Sequence, residues 1–136
     1  MENWRVFTEE KQKDSKKVAK VVIYNDKNEV LFIKRSNYNK KFVGEWDLPG
    51  GHAHEGEPME EAARRETREE TNLTIKSIKK VKESGRDTYF ITKYDGGDIK
   101  LSEEHTEFLF RDVKEIKDPD KYEKVAQTVM EALENE

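Results

Sequence analysis

Residues 49–73 read PGGHAHEGEPMEEAARRETREETNL, and the arrangement of the whole chain follows from this stretch. Pro49-Gly50-Gly51 signals a turn, and Pro58 stands where a proline opens a helix, because the N–H it lacks is one that a first helical turn leaves unbonded. The spacing predicts a helix over 58–71. At about 100° per residue Met59, Ala62 and Ala63 share one narrow stripe, and Glu66 and Glu70 continue that stripe one and two turns later. Carboxylates therefore take over the face that should be buried.

A charged helical run is ordinarily a solvated face, and Glu60, Glu61, Arg64 and Arg68 fit that pattern, with Glu60–Arg64 and Glu61–Arg65 expected as four-apart ion pairs. Glu66, Glu69 and Glu70 do not fit it. They cluster near the helix C-terminus, where the macrodipole disfavours negative charge, so a cation should compensate them. Arginines can do part of this; a hard, oxygen-ligated divalent ion such as Mg²⁺ suits three close carboxylates better.

The spacing also carries a family resemblance. Gly51, five residues, Glu57, seven residues, then Arg65-Glu66-Thr67-Arg68-Glu69-Glu70-Thr71-Asn72-Leu73, led in by Trp46-Asp47-Leu48-Pro49-Gly50, resembles the box of the Nudix hydrolases. Two positions depart from it. Thr67 stands where the family has a hydrophobic residue, and its methyl can still pack inward. Asn72 replaces the glycine that ends the helix, and asparagine is the next-best residue for a left-handed cap.

Composition bounds the rest. A chain of 136 residues is expected to form one domain over 1–136. Its residues are 41% charged and 33% hydrophobic, but the charge signs nearly cancel at a net −4 and the apolar residues are patterned, so a folded protein is expected rather than a polyelectrolyte. No basic excess marks a broad nucleic-acid surface. The absence of cysteine excludes disulfides, thiol nucleophiles and thiolate metal sites. With no run long enough for a signal peptide or membrane span, no membrane partner and a cytoplasmic location are expected. A homodimer stays open.

Along the chain, residues 1–17 are polar, with Trp4, Val6 and Phe7 able to pack, and are expected to be an edge strand or partly disordered. Val18 to Tyr24 and Val30 to Lys34 read as a hairpin across Asn25–Glu29. Ser36 to Gly44 reads as a loop, and Glu45 to Leu48 as a short strand entering the glycine turn, where bare backbone can approach whatever the carboxylates hold. His52 and His54 are expected to be loop residues. Leu73 to Val81 reads as an exposed strand with a bulge, Thr88 to Tyr94 as a strand, Asp95-Gly96-Gly97-Asp98 as a hairpin turn and Glu107 to Val113 as the last strand. An amphipathic helix over 120–133 faces inward with Tyr122, Val125, Ala126, Val129, Met130 and Leu133. The elements give a mixed sheet with helices on both faces.

The resemblance implies the Nudix-type α/β/α sandwich and hydrolysis of the pyrophosphate linkage in nucleoside di- or triphosphate derivatives by metal-activated water. Glu66, Glu69 and Glu70 would hold Mg²⁺, with Mn²⁺ as a substitute, together with the carbonyl of Gly50. Glu104 matches a further acidic residue ahead of the last strand, and Glu66 or Glu104 would take the proton. Gly51, Glu57 and Arg65 fall on positions that brace loop and helix. Specificity in the family lies in loops and N-terminal strands, which makes Lys34, Arg35, Tyr38, Phe42 and Trp46 candidates for contact with a nucleotide-type substrate, although Trp46 reads first as a core residue beneath the site. Two other readings remain at this stage: a nucleotide-binding or sensing module without turnover, and a domain whose acidic helix is simply tied up by Arg64, Arg65 and Arg68.

Overall fold

The computed structural model describes residues 17–134, so the expectation for Trp4, Val6 and Phe7 lies outside the described residues. Strand β1 (Val18–Tyr24) is buried at six of its seven positions, the pattern of a strand covered on both faces. Its neighbours in the fold are β2 (Val30–Arg35), β3 (Trp46–Asp47), β4 (Gly50–His52), β5 (Lys79–Ser84), β6 (Asp87–Lys93) and β7 (His105–Arg111). They form one mixed sheet in the order β3-β2-β1-β6-β5, with β4 added to β1 and β7 to β2.

Helices α1 (Met59–Thr71) and α2 (Lys121–Glu134) cover the two faces. Alternation along the strands sorts their side chains: Ala19, Val21, Ile23 and Leu31 join Ala62 and Ala63 of α1, whereas Val22, Val30 and Phe32 join Val125, Val129 and Met130 of α2. This is the expected α/β/α sandwich, and the inward face of α2 is the one the sequence pattern marks.

Local chemistry explains the element ends. The β1–β2 turn is held by the Asn25 side chain, which accepts from the amides of Lys27 and Glu29, with Asn28 in the left-handed region at φ 59°. Asn72 caps α1 at φ 69° and donates its backbone N–H to the Arg68 carbonyl, as expected. Helix α2 opens on a reciprocal box: the Glu123 amide donates to Asp120 at 2.8 Å and the Asp120 amide to Glu123 at 3.0 Å.

Three details differ from the sequence pattern. The strand expected over 73–81 begins only at Lys79; Leu73 and Ile75 are buried in coil, because they fasten the chain leaving the α1 cap onto the α1-side core. All six residues of β5 are exposed, and its pairing with β6 defines it rather than any apolar pattern of its own. Asp95–Asp98 is not a hairpin turn. β6 pairs with β1 and β5, and β7 with β2, so this segment begins a crossover; the tight β5–β6 turn is at Gly85-Arg86 instead. Glu61 pairs with Arg64, which also holds Glu60, at 3.2 Å in each case, and not with Arg65.

Candidate active site

Two glycines bring backbone and helix together. Gly50 lies at φ +130°, and a Cβ there would stand 2.0 Å from the Ala19 carbonyl oxygen across the β1–β4 pairing. A Cβ on Gly51 would stand 2.7 Å from Glu66 Oε2. The absence of both side chains lets the carboxylates of α1 come up against β4, and the Gly50 amide donates to Glu70 Oε1 at 2.8 Å.

Arg65 is the fastening between this turn and the helix. It donates to both oxygens of Glu57 (2.9 and 3.0 Å), to the His52 carbonyl (3.0 Å) and to Glu66 (3.0 Å). Glu57 in turn accepts from the His54 amide at 3.0 Å. The hydrogen bond from Arg65 holds the Glu57 carboxyl below its usual range and raises the guanidinium.

The three box carboxylates have different surroundings. Glu70 is 6% exposed, and burial pushes its pKa up to about 8 despite the opposing Lys20 and Gly50 amide. Burial also raises Glu66, against the pull of Arg65. The Glu69 side chain is 57% exposed and turns to Arg65 at 3.3 Å. The arginines do not neutralise the set. Arg64 serves Glu60 and Glu61, Arg68 donates to Thr74, and only Arg65 reaches Glu66 and Glu69. Among the described residues none of the three bonds Glu70.

Glu104 joins from the crossover ahead of β7. Its carbonyl accepts from the Ser36 amide (2.9 Å) and Asn39 Nδ2 (2.7 Å), while Ser102 N–H bonds the Glu70 carbonyl at 3.2 Å, using one of the carbonyls that a helix C-terminus leaves free. The loop over 36–44 thus fixes Glu104. An oxygen of Glu70, an oxygen of Glu104 and a ring nitrogen of His105 lie within 4.8 Å of one another.

A profile described as "NUDIX domain" matches residues 14–133. The chain belongs to the Nudix family. An ADP-ribose pyrophosphatase of Methanocaldococcus jannaschii is 37% identical over 99 residues, which are 65% of this chain and 57% of that protein. Among solved structures, an Ap4A hydrolase of C. elegans in a binary complex is 26% identical with a TM-score of 0.69, covering 88% of this chain and all of the other. The MutT protein of Methanosarcina mazei is 25% identical with a TM-score of 0.68, over 88% and 94% of the two chains. The chain spans between 32% and 57% of the length of the curated relatives it matches.

In this Nudix domain Gly50, Glu66, Glu70 and Glu104 help to line a cleft of about 1070 Å³. That is at the upper end of small-molecule pockets. Of the expected substrate contacts, Arg35, Phe42 and Trp46 line the cleft. Lys34 and Tyr38 do not; Lys34 pairs with Glu107 at 3.2 Å and Tyr38 is 64% exposed. Trp46 also packs against the α2-side core, as the core expectation for it has it. His52, expected to be a loop residue, ends β4 and lines the cleft, and burial lowers its pKa.

Sequence reasoning missed a buried ion pair in the floor. Lys20 donates to both oxygens of Asp47 (3.0 and 3.1 Å) and to the carbonyls of Leu48 (3.3 Å) and Gly50 (3.4 Å). Burial alone would lower this lysine, but Asp47, with Tyr122 and Glu70 around it, raises it. Its Nζ lies 5.1 Å from the Tyr122 ring centroid, and Arg35 reaches Asp47 at 3.6 Å. The available signal was a lysine inside the otherwise apolar run VAKVVIY.

Proposed function

We propose that this domain is a metal-dependent hydrolase of a nucleoside diphosphate joined to a further group, cleaving the phosphoanhydride between the two phosphates. The observation that carries this reading is Glu70: a carboxylate buried in the cleft lining, beside Glu66 and Glu104, that no arginine among the described residues compensates. A buried carboxyl in that position, which burial keeps protonated while no cation is bound, can give up its proton to a bound cation. An oxygen-rich set of Glu66, Glu70, Glu104 and the Gly50 carbonyl fits a hard divalent ion such as Mg²⁺ or Mn²⁺. Glu69, exposed and held by Arg65, would join only by turning inward. When bound, the ion supplies Lewis-acid neutralisation of charge on the phosphate oxygens.

The chain's own residues divide the remaining work. Arg35, Arg86 and Lys121 line the cleft and offer positive charge to a diphosphate. Trp46, Phe42 and Tyr122 offer faces on which a base or sugar can lie. Water adds to one phosphorus, the bridging P–O bond breaks, and a carboxylate takes the water's proton. Glu104 is the better base, because its carboxylate carries no hydrogen bond among the described residues and keeps one oxygen for the proton when the other faces the cation, whereas Glu66 is committed to Arg65. Arg65 and Glu57 hold the turn so that the donors converge. The relative named for ADP-ribose and the neighbour named for Ap4A both support a substrate with a nucleoside diphosphate at one side.

The test is hydrolysis of a panel of nucleotide sugars, ADP-ribose, dinucleoside polyphosphates, nucleoside triphosphates and 5′-triphosphorylated RNA, with Mg²⁺ or Mn²⁺. We expect turnover of a diphosphate-linked member and a loss of at least 100-fold in Glu70→Gln, in line with removal of a principal electrostatic element of a site. A panel left intact while metal and nucleotide still bind would sink the hydrolase reading and leave a sensing module.

A further inference from the structure

His105 opens β7 and is 4% exposed. Neither of its ring nitrogens has a hydrogen-bond partner among the described residues. Leaving both a donor and an acceptor of an imidazole unmade in a buried place is costly, since each loses its water and gains nothing in return. Histidines so placed are normally satisfied by water, by a neighbouring polar group or by a metal. One of its ring nitrogens, an oxygen of Glu70 and an oxygen of Glu104 lie within 4.8 Å of one another, and the charges of Asp47, Lys20 and Arg35 also act on the ring. Neighbouring donors in the shell of a small divalent ion stand on the order of 3–4 Å apart at bond lengths near 2.1 Å, so modest side-chain rotation closes the set around an ion.

We infer that His105 is a nitrogen ligand of a divalent cation shared with Glu70 and Glu104, giving the site a preference for transition ions over Mg²⁺. The inference deepens the hydrolase reading, since it uses two of the same carboxylates, but it concerns binding and needs no turnover. The chemistry follows from the donors. Carboxylates alone serve Mg²⁺ and Mn²⁺ alike, whereas an imidazole adds a borderline donor that favours Mn²⁺, Co²⁺ and Zn²⁺ and gives little to Mg²⁺. Its burial also fixes its place: the β2–β7 pairing sets His105 opposite Arg35, and the Glu104 backbone is pinned by Ser36 and Asn39.

The experiment uses the full chain stripped of metal. Calorimetric titration with Mg²⁺, Mn²⁺ and Zn²⁺, and the visible spectrum with Co²⁺, compare wild type with His105→Phe and His105→Asn. The expected result is an affinity for Mn²⁺ and Zn²⁺ reduced by about tenfold or more in both variants, Mg²⁺ affinity changed by less than about threefold, and an altered Co²⁺ spectrum. In Mn²⁺-loaded wild type, pulsed electron paramagnetic resonance should detect coupling to an imidazole nitrogen, a readout that does not depend on a variant folding. Unchanged metal selectivity in the variants, or a manganese signal without nitrogen coupling, would overturn the inference and leave His105 bound to water in the core. Nitrogen coupling in a protein that hydrolyses no member of the panel would instead remove the hydrolase reading and keep this ligand.

Discussion

Thr67 is buried within the box helix and its hydroxyl has no partner among the described residues. The methyl packs as the sequence allows, but the hydroxyl is an unmade hydrogen bond. Thr67→Val should therefore raise stability by about 1 kcal/mol, read as a shift in the midpoint of urea unfolding with unchanged slope. Glu70 makes a second prediction, for the metal-free protein. Its native pKa of about 8 lies above the ordinary 4.5, so in that interval the native state holds a proton that the unfolded state has released, and stability falls as pH rises. His105 runs the other way: burial lowers it from 6.5 to about 4, so its contribution is lost as pH falls below about 6.5. From pH 6.5 to about 8 only the glutamate effect of the two remains. Stability measured by denaturant titration should decline across that window in wild type and stay level in Glu70→Gln. At this scale Glu66 and Glu70 were legible from helical spacing, and Glu104 from the family pattern alone. His105 was not, because a histidine between EE and TEFLF reads as a polar loop residue, and its burial arises only when β7 pairs with β2. Lys20 and Asp47 lie 27 residues apart, and no local pattern joins them.

Elements bring those residues within reach of one another. Strand β4 is three residues long, yet it brings the Gly50 amide to the Glu70 carboxylate and the Gly50 carbonyl to Lys20. Gly50→Ala would place a methyl carbon into the Ala19 carbonyl while holding a conformation that side chains disfavour. It should cost on the order of 3 kcal/mol or more, and thermal unfolding with a metal-binding assay should show both stability and affinity reduced. The helices, the β1–β2 hairpin and the left-handed Asn72 cap were legible because each rests on local chemistry: periodicity, turn residues and a tolerated positive φ. The Leu73–Ile78 segment was misread for the opposite reason. Leu73 and Ile75 are buried and Ile78 half-buried as anchors of a coil, and apolar spacing cannot distinguish an anchor from a strand. The crossover after Asp95 was misread because local turn chemistry does not reveal which strand comes next in the sheet.

For the whole molecule, a cation held by the buried carboxylates would couple its binding to folding. An ion that binds the native state alone should stabilise it by RT ln(1 + [M]/Kd), about 2.7 kcal/mol at a hundred times Kd. A rise in Tm with added Mn²⁺, absent in Glu70→Gln, checks this; a Tm that ignores metal would argue against the cation site. Strand β5 has a consequence of a different kind. It ends the strand order, with every residue exposed and lysines at 79, 80 and 82. A second copy extending the sheet there in parallel, in-register fashion would set these charges about 4.8 Å from their counterparts, so that pairing is opposed by repulsion. Such a guard weakens with ionic strength, as the screening length shrinks from about 8 Å at physiological salt to about 3 Å at 1 M. Addition of a second copy at this border should therefore become easier as the surrounding electrolyte grows more concentrated.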